Sequence, residues 1–486
     1  MSAAGRTLLP WAHRSGAYAL PTSVLVRLKL GETPDTIPAA LDVRSAASAP
    51  ADRTGHNALD RVIRTFGSIV RVSRLHAAAA ALRSAGARHR GYSDAEQVSG
   101  IARVLRFDVA PGTHIGSMAI SLQQLEIVES AIPNYLCAVG LDRDLERAPA
   151  PVRTPDDDDG WAPRDQINAR EAMAREPGDR AVIVGVVDTG LDLDHVEFSD
   201  RTRRGFDTVQ LGKGELANGI SLLGDNTGAD TNPSDRYVGH GSGCAGIISG
   251  LGRGMPPGLA GECPILPIRS LGAAQFPART NAVGLGAISD LDMGVVIAVQ
   301  LGARVLNLSF GTDDDDLEPG AVKPHSEAVA YATQRGVTLV AASGNSGDAR
   351  IYWPAAFPEV IAVGAVAADG AVCDFSTTGG HVALCAPGER VRTAGLQGYQ
   401  CATGTSFAAP FVAATAALLH CRADRRAAPL APAQVKQLLM ASARPHRSGV
   451  GDGSGAGVLD AARALALLDE ALDADATTEL EKEDDR

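Results

Sequence analysis

From residue 161 onward, near-continuous apolar runs alternate with segments of helical period, and this alternation constrains the fold more than any other feature. The runs are 181–187, 265–269, 304–309, 337–342 and 360–366. A strand that is apolar on both sides must be covered on both faces, which is the condition of a parallel sheet. The stretches 240–250, 285–301, 326–335, 406–420 and 432–443 read as helices. Repeated strand–helix alternation predicts an α/β domain of three layers, with a mostly parallel sheet between helices. Sites in such sheets form beyond the carboxyl ends of the strands. Asp188, Ser309 and the segment 342–345 fall at those ends.

One of the helical segments opens with Gly404-Thr405-Ser406-Phe407-Ala408-Ala409-Pro410. A serine at a helix start sits where free N–H groups and the positive dipole end favour negative charge. Gly404 and the alanines permit close approach of backbone and substrate. Pro410 is expected in the first turn, where its missing N–H costs nothing. Taken alone, Ser406 reads equally well as a helix cap. Two other segments change that balance. Val184-Gly185-Val186-Val187-Asp188-Thr189-Gly190 is a buried strand ending in a carboxylate, and Gly239-His240-Gly241-Ser242-Gly243-Cys244 puts a histidine at the head of a small-residue helix. Asp, His, Ser is one of the recurrent chain orders of a hydrolytic triad.

With Ala341-Ala342-Ser343-Gly344-Asn345-Ser346-Gly347, these segments resemble the motifs of the subtilisin-like serine protease (subtilase) family, over roughly residues 161–468. The resemblance implies that Ser406 is the nucleophile, His240 its base and then acid, and Asp188 the group that orients the imidazole. Asn345 and the Ser406 backbone N–H would bind the developing oxyanion. Ser309, Phe310 and Gly311 would pair with the substrate backbone. Ala342, Ser343 and Gly344 would form the other wall of the first specificity pocket. Tyr352 stands where the family often has a small residue, so a pocket narrowed to small or medium side chains is expected. Trp353–Pro354 is the candidate cis bond. The chemistry requires no cofactor, and no metal ligand is assigned. Glu197 matches a family position that often supplies a carboxylate to calcium. However, Leu251-Gly252-Arg253-Gly254 lacks the usual amide ligand and offers a cation instead. His195, His325 and His381 lack such company and read as surface residues.

Residues 1–143 read as a separate, smaller α+β domain. Strands are expected at 22–30, 68–73, 102–109 and 132–139, and helices at 57–66, at 75–85 and after Ser121. This order resembles the ferredoxin-like propeptide of many subtilases, which implies an intramolecular chaperone and inhibitor docked on the active site. A permanent accessory domain is the other reading. Pro149, Pro151, Pro155 and Asp156 to Asp159 mark a linker at 144–160, the expected place of any precursor cleavage. The catalytic domain then spans 161–470, and 471–486 reads as an acidic, disordered tail.

The net charge of −12 divides into +4 over residues 1–150 (17 basic, 13 acidic) and −16 over the rest (28 basic, 44 acidic). The opposite signs are expected to draw the two parts together, and the acidic balance argues against nucleic acid as the main partner. Seven dispersed cysteines without a close pair read as free thiols. The apolar runs read as too short for a membrane span, and no apolar leader opens the chain, so a cytoplasmic location is expected. The expected partners are a protein or peptide substrate and the chain's own N-terminal domain. The function expected is that of a serine endopeptidase, a selective intracellular processing protease kept latent by that domain. The alternative is a latent or inactive homologue acting as a regulated binding protein.

Overall fold

The computed structural model describes residues 19–34, 36–45, 47–66, 69–79, 91–139, 160–216, 219–277, 279–317, 321–446 and 453–484. Apart from Gly160, the linker expected at 144–160 lies outside them, as does most of the helix expected at 75–85.

The N-terminal part folds as β1 (Ala19–Leu28), α1 (Asn57–Phe66), β2 (Ile69–Arg74), β3 (Val104–Val109), α2 (Ile115–Gln123) and β4 (Val128–Val139). Its antiparallel strand order, β2-β3-β1-β4, is that of a split β-α-β pattern. One helix differs from expectation. Ser121 lies in the last turn of α2 rather than capping its start, and Val128 begins a strand. The apolar stripe is there one turn earlier, at Ile115, Met118, Ala119 and Leu122, all buried.

The larger part is built on a seven-stranded parallel sheet. Its strands are β5 (Ile183–Asp188), β6 (Phe206–Asp207), β8 (Ile265–Arg269), β11 (Ala303–Leu308), β13 (Thr338–Ala342), β15 (Val360–Val366) and β16 (Val382–Pro387), in the order β16-β15-β13-β11-β5-β8-β6. Nearly every residue of these strands is buried, as their apolar composition requires. Helices α3 (His240–Ser249), α4 (Ile288–Gln300), α5 (Ser326–Gln334), α6 (Thr405–Arg425) and α7 (Pro432–Ser442) pack against the sheet, and α8 (Ala461–Asp484) closes the chain. The apolar side chains form two large cores, one containing α3 and α6, the other α4 and α5. By length and composition α6 could cross a membrane, but 94% of its apolar window is buried inside the fold. The helix α8 runs on to Asp484, so 471–484 extend a helix instead of forming a disordered tail. Its alanines, leucines and glutamates are strong helix formers.

The two parts are not separate. Residues 285–287, expected as the start of a helix, instead belong to a strand, β10 (Val283–Ala287), and α4 begins only at Ile288. Strand β10 pairs antiparallel on one side with β9 (Gly272–Gln275), which in turn pairs with β7 (Ser221–Leu223). On its other side it pairs with β4, matching Leu136 with Ala287, Cys137 with Gly286, Ala138 with Leu285 and Val139 with Gly284. A second seven-stranded sheet therefore runs through both parts. Buried polar contacts reinforce the junction. Arg106 of β3 donates to Ser289 Oγ at 3.0 Å and lies 3.4 Å from Asp290, and Asn134 accepts the Ser289 N–H at 3.1 Å. Removing one partner of such a buried pair leaves the other charge uncompensated, at a cost of about 3–5 kcal/mol.

Candidate active site

Three strand ends and two helix starts converge beyond the carboxyl edge of the parallel sheet. Asp188 ends β5 and is fully buried. Its carboxylate faces His240 Nδ1, with Oδ1 at 2.8 Å and Oδ2 at 3.0 Å, and Oδ1 also accepts the Thr189 N–H at 2.7 Å. Burial opposes charging of His240, but the Asp188 carboxylate and its hydrogen bond, helped by Asp235, outweigh it, so the pKa of the imidazole lies above its ordinary value. The Nδ1–H bonded to the carboxylate leaves Nε2 as the basic nitrogen.

Asp235, which sequence reasoning did not single out, sets the position of His240. Its carboxylate accepts the N–H groups of Tyr237 and Val238 at 3.0 Å and Gly239 at 2.7 Å, together with the Thr189 hydroxyl at 2.6 Å. Thr189 Oγ1 in turn accepts the Gly241 N–H at 3.0 Å. One buried carboxylate thus ties the head of α3 to the end of β5. The only advance signal was an Asp five residues before the histidine.

Ser406 is the second residue of α6, after Gly404, which adopts a φ of 144° open to glycine. Pro410 is the sixth residue of the helix, in the second turn rather than the first. Proline there cannot donate to the carbonyl four residues back, which is that of Ser406. The freed carbonyl instead accepts Ser309 Oγ at 2.9 Å and Cys244 Sγ at 3.3 Å. The proline break therefore anchors the Ser406 backbone to the end of β11 and to α3. Ser406 Oγ donates to the Ser309 carbonyl at 3.4 Å. Hydrogen bonds in substrate-free sites are often this long. Burial, with Asp188 nearby, raises the Cys244 thiol well above its ordinary value, so it is not a nucleophile at neutral pH.

Asn345 follows β13. Its Oδ1 accepts both the Thr405 N–H and the Thr405 hydroxyl, each at 2.8 Å. Those two donors fix the amide orientation and leave Nδ2 as a donor without a partner among the described residues, beside Gly404. Ser309, Phe310 and Gly311 follow β11, and Ala342 ends β13 with Ser343 and Gly344 after it, as two adjacent walls. Tyr352, in the short strand Tyr352–Trp353, lies between them. A Cβ on Gly344 would fall 2.4 Å from its ring, and one on Gly311 3.0 Å from its Cβ. Trp353–Pro354 is cis. His195 and His325 are buried, not surface residues: His195 bonds the Gly398 carbonyl at 2.6 Å and His325 bonds Asp292 at 2.5 Å.

The end of β4 reaches this site. Cys137 Sγ donates to the Gly311 carbonyl at 3.0 Å, while its backbone pairs with Gly286. Val139 Cγ2 and Thr189 Cγ2 would each lie 2.6 Å from a Cβ on Gly284, which places Val139 beside the neighbour of Asp188. The carboxylate, imidazole and thiol of Asp188, His240 and Cys244 lie within 4.8 Å of one another. A soft metal ion held there would occupy the imidazole and compete with proton transfer.

The profile of the Subtilase family matches residues 179–465. The chain is 31% identical over 320 residues to a thermophilic serine proteinase of Bacillus sp. (strain AK1), covering 65% of this chain and 68% of that protein. It is also 31% identical over 260 residues to the major intracellular serine protease of Bacillus subtilis (strain 168), covering 52% and 72%. A solved protease from Pseudoalteromonas arctica superposes with a TM-score of 0.53 at 24% identity, over 66% of this chain and all of that one, and shares the fold. Three triad-type side chains beyond the carboxyl edge of the sheet, a matching family profile over more than half the chain and relatives named serine proteases agree: the chain belongs to the subtilase family of serine endopeptidases.

Proposed function

We propose that the protein hydrolyses peptide bonds through Asp188, His240, Ser406 and Asn345, and that its N-terminal domain holds it latent by occupying the substrate edge. Ser406 Oγ attacks the scissile carbonyl carbon while His240 Nε2 takes its proton. The carbonyl oxygen becomes an oxyanion bound by Asn345 Nδ2 and the Ser406 N–H. His240 then protonates the leaving amine, and water repeats the sequence on the acyl-enzyme. The Asp188 carboxylate stabilises the imidazolium in both halves.

The observation that carries latency is the β4–β10 pairing. An extended segment, Leu136 to Val139, lies between β10 and the Gly311 carbonyl, where a substrate would add as a strand. On this reading the cut that would release the domain falls just after Val139, ahead of the 144–160 linker. The test is Ala138→Pro. A proline in the middle of the Leu136–Val139 pairing locks φ and disrupts the extended strand against β10. Ser406 in the intact chain should then react with a fluorophosphonate at least about tenfold faster, since a pairing weakened by ~1.4 kcal/mol is worth that factor. An unchanged rate would sink the latency reading.

Tyr352, wedged between Gly311 and Gly344, narrows the first pocket to small and medium side chains. On a peptide library varied at the residue before the scissile bond, Tyr352→Ala should shift preference toward Phe and Tyr. A wild-type enzyme that already prefers aromatics would contradict this. The name of the Bacillus subtilis relative favours an intracellular location, which cell fractionation checks directly.

A further inference from the structure

Behind the triad lies a corner that the catalytic chemistry does not use. Glu197 is fully buried in a short turn nine residues after Asp188. In the family this position often supplies a carboxylate to calcium, so the donor set can be tested for fit. Calcium needs six to eight oxygen ligands. Here the groups aimed at Glu197 are donors. Its Oε2 accepts the Gly252 N–H at 2.6 Å. Its Oε1 accepts the N–H groups of Arg253 and Gly254 at 2.8 Å and the Tyr399 hydroxyl at 3.0 Å.

The nearby carbonyls are also taken. That of Gly254 accepts Arg392 Nε and Nη2 at 3.2 and 3.0 Å, that of Pro257 accepts Arg164 Nε at 3.3 Å, and that of Gly398 is bonded to His195. Arg164 is itself fully buried and attracted by Glu197; burial lowers it to about 10, which leaves it charged at neutral pH. Gly254 is sterically required, because a Cβ there would sit 2.2 Å from the Tyr399 ring. The residues present do not fit calcium.

We infer that Glu197, the 252–254 turn, Tyr399 and the guanidinium groups of Arg164 and Arg392 form a metal-free clasp in the place of a bound cation. The clasp joins three segments, each attached to one member of the triad. Glu197 lies on the chain leaving Asp188, residues 252–254 follow the His240 helix, and Tyr399 opens the strand that leads into Ser406. A cation would gather carbonyl and carboxylate oxygens around a positive centre. Here the positive charge is covalently part of the chain, and the turn presents N–H groups to the carboxylate. The catalytic frame therefore keeps its shape where free calcium is scarce.

The test is thermal unfolding of the full chain, in a Ser406→Ala background to suppress self-digestion, in EDTA and in millimolar calcium chloride. The clasp predicts that Glu197→Gln lowers the midpoint by several degrees in both buffers, since ~1 kcal/mol corresponds to about 2–4 °C in a domain of this size or somewhat smaller. It also predicts that calcium shifts the midpoint of the background protein and of the Glu197→Gln variant by the same amount. A calcium-dependent rise that disappears in Glu197→Gln would overturn it, because Glu197 would then be a metal ligand. Should Glu197→Gln fail to fold, Tyr399→Phe removes one donor only. An unaltered calcium response supports the clasp, and an altered one contradicts it.

Discussion

Ser406→Ala is expected to lower peptide hydrolysis by about 10⁶-fold, a figure taken from subtilisin, a relative. Residual turnover would come from the oxyanion site and binding. The same variant should not react with a fluorophosphonate, since no other side chain in the site can take its place. Cys244 lies within reach of the Ser406 carbonyl, but burial keeps it a thiol. Kinetics on a fluorogenic peptide decide the matter: a loss of less than about tenfold would mean that Ser406 is not the nucleophile.

Asp188→Asn should cost about 10⁴-fold in turnover, the size seen when a triad carboxylate becomes an amide and the imidazole takes the wrong tautomer. It should also move the pH profile. In the wild type the Asp188 charge holds the His240 pKa above its ordinary value in spite of burial. The base form is therefore lost as pH falls through that raised value, and the acid limb of kcat/KM lies above pH ~6.5. In Asp188→Asn the burial stays and the attraction goes, so the limb moves to lower pH. The stability linkage has the matching sign. The His240–Asp188 contribution is full below the unfolded imidazole pKa and is lost as pH rises through the folded one. An acid limb that stays in place in Asp188→Asn would contradict the pairing.

Local features of the chain made much of this legible. Asp188 stands at the end of a continuous apolar strand, His240 and Ser406 open small-residue helices, and Asn345 follows another strand, so each candidate side chain is announced by its own neighbours. What depended on distant contacts was hidden. Strand β10 carries Gly284 and Gly286 and runs straight into an apolar helix, so nothing local marks it as extended; it becomes a strand because β4 and β9 lie on its two edges. His195 and His325 read as surface residues because their partners, Gly398 and Asp292, are remote in sequence. Pro410 reads as a first-turn proline, but its position one turn later is what frees the Ser406 carbonyl for Ser309 and Cys244. Asp235 and Glu197 are buried carboxylates saturated by backbone N–H groups, a role that composition and spacing do not display.

The central claim is a serine protease restrained by its own N-terminal strand, and intact mass of freshly purified protein tests it most directly. Wild type and Ser406→Ala would be weighed side by side, each with and without a fluorophosphonate. The account predicts that wild type is cut close after Val139 and carries one probe on Ser406, while Ser406→Ala stays whole and unlabelled. A wild-type chain that stays whole and takes up no probe, beside an Ala138→Pro chain that takes up none either, would contradict it.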